Sequence, residues 1–158
     1  MLKMLSGPGQ VLAKRLEQDG AHHLLVFDPT EPGWPQALGP RVEKLSCIYS
    51  DYALYSHDKE SLGEGGNGST KLYFLDQELP DSRSVEIVAI ALPKGKEAMR
   101  MNFCRAAQFL VPGGKAWIVG PNKGGIRSAK TLVEELLGPV VDKFSARHSS
   151  LLESHVTE

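Results

Sequence analysis

Val85-Glu86-Ile87-Val88-Ala89-Ile90-Ala91-Leu92, then Pro93-Lys94-Gly95-Lys96, opens the stretch whose reading decides the fold. The first eight residues are apolar at nearly every position, the pattern of a strand covered on both faces. A helical run follows and closes at Val111-Pro112-Gly113-Gly114. A second apolar run, Ala116-Trp117-Ile118-Val119, leads into Gly120-Pro121-Asn122-Lys123-Gly124-Gly125 and another helix reaching Leu137. A connection of helical crossover length makes the two strands parallel neighbours. Strand, helix, strand, loop, helix is the repeating unit of an open α/β sheet. Both loops leaving the carboxyl ends of these strands carry lysine and glycine, and in such sheets ligands bind at that edge.

The helix from about Lys96 to Leu110 places Met99, Phe103, Ala106, Ala107 and Leu110 on one face, with Pro112-Gly113-Gly114 as its terminator. In the last helix Ile126, Ala129, Val133, Leu136 and Leu137 form the apolar stripe. Both stripes are expected to pack against Val88, Ile90, Ile118 and Val119. Upstream, Ser6-Gly7-Pro8 opens a first helix and Gly20 stops it. His23 to Phe27 reads as the first strand, followed by a loop with three prolines (Pro29, Pro32, Pro35) and a short helical turn at Gln36 to Leu38. Leu45 to Tyr55 reads as a strand from Cys47, Tyr49 and Tyr52, and Lys71 to Leu75 as another. Downstream, Val140 to Ser145 and Ser150 to His155 read as a closing hairpin around Ala146-Arg147-His148. No internal repeat and no second domain is visible, so residues 1–158 are expected to form one domain.

Hydrophobic content of 41% with 23% charged residues is ordinary for a soluble globular chain with a real core. No apolar run approaches a membrane span, and Met1-Leu2-Lys3-Met4 lacks the apolar region of a signal peptide. Cys47 and Cys104 have no metal-ligand spacing and read as buried free thiols of a reducing compartment, which points to the cytoplasm. The net charge of −1 hides an asymmetry. Residues 1–93 hold eight Lys and Arg against 13 Asp and Glu, whereas residues 94–147 hold ten against four. Such a split marks a side that faces a polyanion, unless the two blocks mix in space.

Gly63-Glu64-Gly65-Gly66-Asn67-Gly68 matches G-x-G-x-x-G formally. A strand follows it where a dinucleotide fingerprint needs a helix N-terminus, so it reads as a linker. Gly120 to Gly125 has the right context, strand before and helix after, but lacks the Lys-Ser/Thr ending of a P-loop. Its amides, with Lys123 and Arg127, suit one contact in a phosphate-binding surface; an ordinary glycine turn is the alternative. Lys94 ends the central strand where many α/β enzymes keep catalytic groups, but nothing apolar or cationic is placed to lower its pKa, and a solvated lysine is the default. The five histidines show no ligand spacing and no serine sits in a nucleophile elbow. The residues themselves advertise no catalytic, cofactor or metal site.

Leu92-Pro93-Lys94-Gly95-Lys96-Glu97, Leu110 to Gly114, and above all Gly120-Pro121-Asn122-Lys123-Gly124-Gly125-Ile126-Arg127-Ser128-Ala129 carry a resemblance. They resemble the amino-terminal half of the small-subunit (16S) ribosomal RNA guanine-N2 methyltransferases of the C type. The likeness extends more weakly to Val11-Leu12, Leu24 to Phe27 and Ser145 to Arg147, so it covers the whole chain. It implies a class I methyltransferase fold: three layers, a mostly parallel sheet and a C-terminal antiparallel hairpin, Rossmann-like. In that family the carboxyl-terminal half binds S-adenosylmethionine and does the chemistry, while the amino-terminal half is degenerate.

The residues agree with degeneracy. A cofactor loop of this class needs acidic-Gly-x-Gly after the first strand, and Asp28-Pro29-Thr30-Glu31-Pro32-Gly33 puts prolines there. The Asn/Asp-Pro-Pro-aromatic expected after the fourth strand reads Leu92-Pro93-Lys94-Gly95. The resemblance thus implies a non-catalytic domain of a ribosomal RNA methyltransferase that binds no cofactor itself. It would assist RNA binding through Lys94, Lys96, Lys123, Arg127 and Lys130 and support a catalytic half in cis or in trans, with no membrane partner. The alternatives are an active S-adenosylmethionine-dependent methyltransferase with an unusual loop, and a protein-interaction module for a separate methyltransferase chain.

Overall fold

A computed structural model describes residues 5–63, 69–75, 79–123 and 125–156. Among these residues seven strands form one sheet, with helices on both faces. In chain order the elements are α1 (Gly7–Asp19), β1 (His23–Phe27), α2 (Trp34–Leu38), a 3-10 turn (Gly39–Arg41), β2 (Lys44–Tyr49), α3 (Tyr52–Leu62) and β3 (Thr70–Phe74). There follow β4 (Val85–Ala91), α4 (Lys96–Ala107), β5 (Leu110–Pro121), α5 (Ile126–Leu136), β6 (Val140–Ala146) and β7 (Ser149–His155). The strand order is β3-β2-β1-β4-β5-β7-β6. β3, β2, β1, β4 and β5 are mutually parallel, and only β7 runs antiparallel, to β5 on one side and β6 on the other. The mostly parallel sheet closed by an antiparallel hairpin is the architecture expected from the sequence.

Side chains alternate between the two faces with the period of two that strands impose. Val88 and Ile90 of β4, with Ala116 and Ile118 of β5, face Met99 and Phe103 of α4 and Ile126, Ala129 and Val133 of α5. Ala89 and Ala91, with Trp117 and Val119, face the other way, toward Val11, Leu12 and Leu16 of α1 and Trp34 of α2. Val119 therefore packs on the opposite face from the one expected, because it stands one residue beyond Ile118. Leu136 is only half-buried, whereas Leu132 and Leu137 are buried.

Three boundaries differ from the sequence expectation. Leu45 to Tyr55 is not one strand: β2 stops at Tyr49, and Asp51 caps α3 by accepting the Leu54 N–H at 3.1 Å. α4 ends at Ala107, and β5 begins at Leu110, so Pro112-Gly113-Gly114 lies inside the strand. The register explains how. Val85 pairs with Leu110 and Ile87 with Lys115, so two steps on β4 span five on β5. The surplus bulges outward, where proline's missing N–H breaks no ladder bond. Cys104 is exposed on α4, and only Cys47 is buried. Glu64 to Gly68, most of the glycine-rich linker, falls outside the described residues.

Candidate functional site: the carboxyl edge of the sheet

β1 leads away to β2 and β3, while β4 leads the other way to β5, so the order of the sheet reverses between β1 and β4. Open sheets bind ligands in the crevice outside the carboxyl ends of the strands at such a switch point. Here its floor beside β2 is taken up by the chain's own side chains. Asp28, just past β1, holds a left-handed backbone (φ 62°) and turns its carboxylate toward β2. It accepts the Ser50 N–H at 3.1 Å and the Ser50 hydroxyl at 2.8 Å. Asn102 of α4 donates to the same carboxylate at 3.4 Å, crossing the crevice from the other side.

The rest of the β1–α2 loop is engaged in the same way. Glu31 accepts the backbone N–H and hydroxyl of Ser6 and the Trp34 indole N–H, the last at 3.0 Å. Gly33 N–H donates to the buried Asp58 carboxylate at 3.0 Å, whose other oxygen takes the Tyr49 hydroxyl at 2.6 Å. Burial, with the neighbouring Cys47 and the bond to Asp58, drives the Tyr49 phenol pKa far upward, so it stays a donor. The Trp34 ring is fully buried beneath the loop. S-adenosylmethionine needs an open, glycine-lined backbone after β1; prolines, a buried indole and committed carboxylates do not fit it.

One interval further along the edge the surface is different. β4 and β5 are adjacent and parallel, with Ala91 opposite Val119, and Leu92 N–H donates to the Val119 carbonyl at 2.9 Å. Their outgoing loops therefore emerge side by side, as expected. Lys94 and Lys96 stand on one, Lys123 and Arg127 on the other, and all four are exposed. Lys130 is exposed one turn along α5. Gly95 (φ 94°) and Gly125 (φ 100°) begin the two helices in conformations that favour glycine, and neither helix has a side-chain cap.

Two polar side chains at this edge, one of them an arginine, escaped the sequence reading. Arg147 and His148 form the β6–β7 turn, are exposed, and lie against the β5–α5 loop, where Asn122 N–H donates to the His148 carbonyl at 2.9 Å. The hairpin was legible, but that β7 pairs with β5 was not, so nothing in the sequence brought its turn to Lys123. A larger concavity, about 1200 Å³, opens at the opposite edge. It mixes Arg41 and Lys115 with Asp19, Glu43 and Glu86 and so presents no field of one sign. Among the described residues no group of three or more His, Cys, Asp and Glu could hold a metal ion, and no helix is long and apolar enough to cross a membrane.

Comparison with known proteins places this geometry. The T. thermophilus 16S rRNA N2 methyltransferase, solved in complex with AdoMet and guanosine, superposes with a TM-score of 0.70 at 15% identity, covering 96% of this chain and 43% of that one. The N-methyltransferase NodS of Bradyrhizobium japonicum, in complex with S-adenosyl-L-homocysteine, superposes with a TM-score of 0.69 at 14% identity, covering 99% and 91%. The fold is thus that of the S-adenosylmethionine-dependent methyltransferases, Rossmann-like, as the resemblance implied. The ribosomal RNA small subunit methyltransferase C of Shewanella oneidensis is 33% identical over 155 residues, 98% of this chain and 44% of that protein. This chain spans less than half the length of the curated relatives it matches. A family profile described as "Methyltransferase small domain N-terminal" matches residues 9–158, and the chain belongs to that family.

Proposed function

We propose that residues 1–158 form the non-catalytic amino-terminal domain of a ribosomal RNA guanine-N2 methyltransferase. The domain holds RNA on its basic carboxyl edge and supports a catalytic methyltransferase half, in cis or in trans, in the cytoplasm. The observation that carries this reading is the state of the switch-point crevice. Asp28 and Asn102 meet across it, and Glu31 and Trp34 tie down the loop after β1, while the next interval of the same edge presents Lys94, Lys96, Lys123 and Arg127 to solvent. An edge closed to a cofactor and lined with cations is suited to phosphates, which need mobile charge and turn amides rather than a shaped pocket. That its relatives are ribosomal RNA small subunit methyltransferases supports ribosomal RNA as the polyanion.

Calorimetric titration with S-adenosylmethionine separates this reading from that of an active enzyme. The expected result is no saturable heat at micromolar cofactor. Clear saturable binding would favour the active methyltransferase.

A further inference from the structure

We propose that the cavity between the ends of β4 and β5 and the β6–β7 turn takes one unstacked ribonucleotide, base inside and phosphate on Lys94, Arg147 and His148. The proposal rests on the RNA-facing reading above and names a subsite within it. The cavity measures about 530 Å³, inside the roughly 300–1,000 Å³ typical of small-ligand sites. Leu92, Val119 and Gly120 give it an apolar floor, and none of the described residues lining it is acidic. Gly120 lets Leu92 lie close against β5 in that floor, because a Cβ there would stand 2.9 Å from the Leu92 side chain. Three cationic or protonatable groups at an apolar cavity suit a ligand with one flat apolar part and one anionic part. A single-stranded RNA base, splayed from its neighbours, has that composition.

The turn itself points the same way. Ala146 pairs with Ser149, so the loop has two residues, and both carry positive φ, 53° at Arg147 and 61° at His148. Such primed turns favour Asn-Gly, and an Arg-His pair works against the conformational preference at both positions. Neither side chain is buried, so packing does not account for the choice. The surroundings hold the turn in place all the same. Asn122 donates to the His148 carbonyl, and the start of α1 presses so close that a Cβ on Gly7 would stand 2.8 Å from the Arg147 carbonyl oxygen. Backbone strain that the structure over-determines, with the side chains left free at a cavity, marks a binding role.

The test uses a short single-stranded RNA carrying 2-aminopurine at a central position and a dye at one end. Dye anisotropy reports binding; 2-aminopurine brightens when its base leaves the stack, and among the described residues no Phe, Tyr or Trp lines the cavity to quench it. Wild-type chain is expected to give a saturable several-fold rise together with the anisotropy change. Thr30→Leu fills the cavity from an exposed loop position without removing charge, and should abolish the rise while binding by anisotropy stays close to wild type. Arg147→Asn with His148→Gly supplies the residues the turn prefers, and should raise the melting temperature while weakening both signals. Anisotropy without brightening in the wild type, or brightening that survives Thr30→Leu, would overturn the cavity and leave the RNA-binding edge standing. Undiminished binding by the turn variant would overturn the assignment of its cations. No anisotropy change at all would overturn both the cavity and the RNA-facing reading.

Discussion

At the scale of single residues, Glu153 shows how the hairpin is locked to the rest of the sheet. It is buried on β7, accepts from Arg15 of α1 at 2.6 Å and from the Trp117 indole of β5 at 3.0 Å, and meets His155 with its other oxygen at 3.0 Å. Arg15 lies over the Trp117 ring and also reaches Asp19 and Asp142, at 2.7 and 3.1 Å. Burial works against the guanidinium charge, but Asp19, Glu153 and Asp142 outweigh it and the net pKa shift is upward. Glu153→Ala leaves a buried cation short of its closest partner and should cost about 3–5 kcal/mol in chemical denaturation. A loss within the surface range of about 0.5 kcal/mol would mean the pair is not structural. Nothing in the sequence distinguished Arg15 or Glu153 from surface charges, because their partners lie on four separate elements.

His23 gives the residue scale a pH signature. Its pKa is lowered from 6.5 by burial first, then by Lys44 and His22, against an opposing pull from Glu86. Between the depressed value and 6.5 the unfolded chain binds the extra proton. The contribution is therefore full above 6.5 and is lost as pH falls through that window. Melting temperatures measured from about pH 8 to about pH 5 should fall less steeply in His23→Gln than in the wild type. Parallel curves would show that another group carries the acid sensitivity.

At the scale of elements, strong periodicity was legible and boundary chemistry was not. β1, β4, α5 and the hairpin stand within a residue or two of where patterning put them, β1, β4 and α5 because their apolar patterns are clear and the hairpin because a turn separates its two strands. α3 was missed because Cys47, Tyr49 and Tyr52, read as one strand, belong to a strand and a helix joined at Asp51. Tyr52 packs edge-on against Phe74 of β3, a long-range contact that no local pattern reveals. The early start of β5 was hidden for a related reason: proline and two glycines signal a stop unless a bulge absorbs them. Phe103 tests the packing of α4. It is fully buried against the sheet, so Phe103→Ala should cost about 3–5 kcal/mol in denaturant unfolding. A change below about 1 kcal/mol would place the ring outside the core.

At the scale of the whole molecule, the fold answers whether the charge asymmetry survives in space. The acidic first block supplies α1, α2 and α3, which cover one face of the sheet. The basic second block supplies α4 and α5 on the other face and the loops after β4 and β5. The helices of the two blocks lie on opposite faces, the blocks mix at the amino edge where Lys115 joins Asp19, Glu43 and Glu86, and at the carboxyl edge the cations of adjacent loops lie together. That much was foreseeable from two parallel strands. The state of the crevice was foreseeable only in part: the prolines were visible, but not that Asp28 would meet Ser50 on one side and Asn102 on the other.

The central claim is that this edge binds RNA through phosphates, and its most direct test is the salt dependence of binding. Lys94, Lys96, Lys123 and Arg127 would be replaced together by alanine, and the affinity of both chains for structured ribosomal RNA measured across a salt series. The account predicts weaker binding by the variant and a slope of log affinity against log salt that is shallower by up to about 3–4 units, near one per lost phosphate contact. An unchanged affinity with an unchanged slope would contradict it and leave a protein-interaction module as the better description.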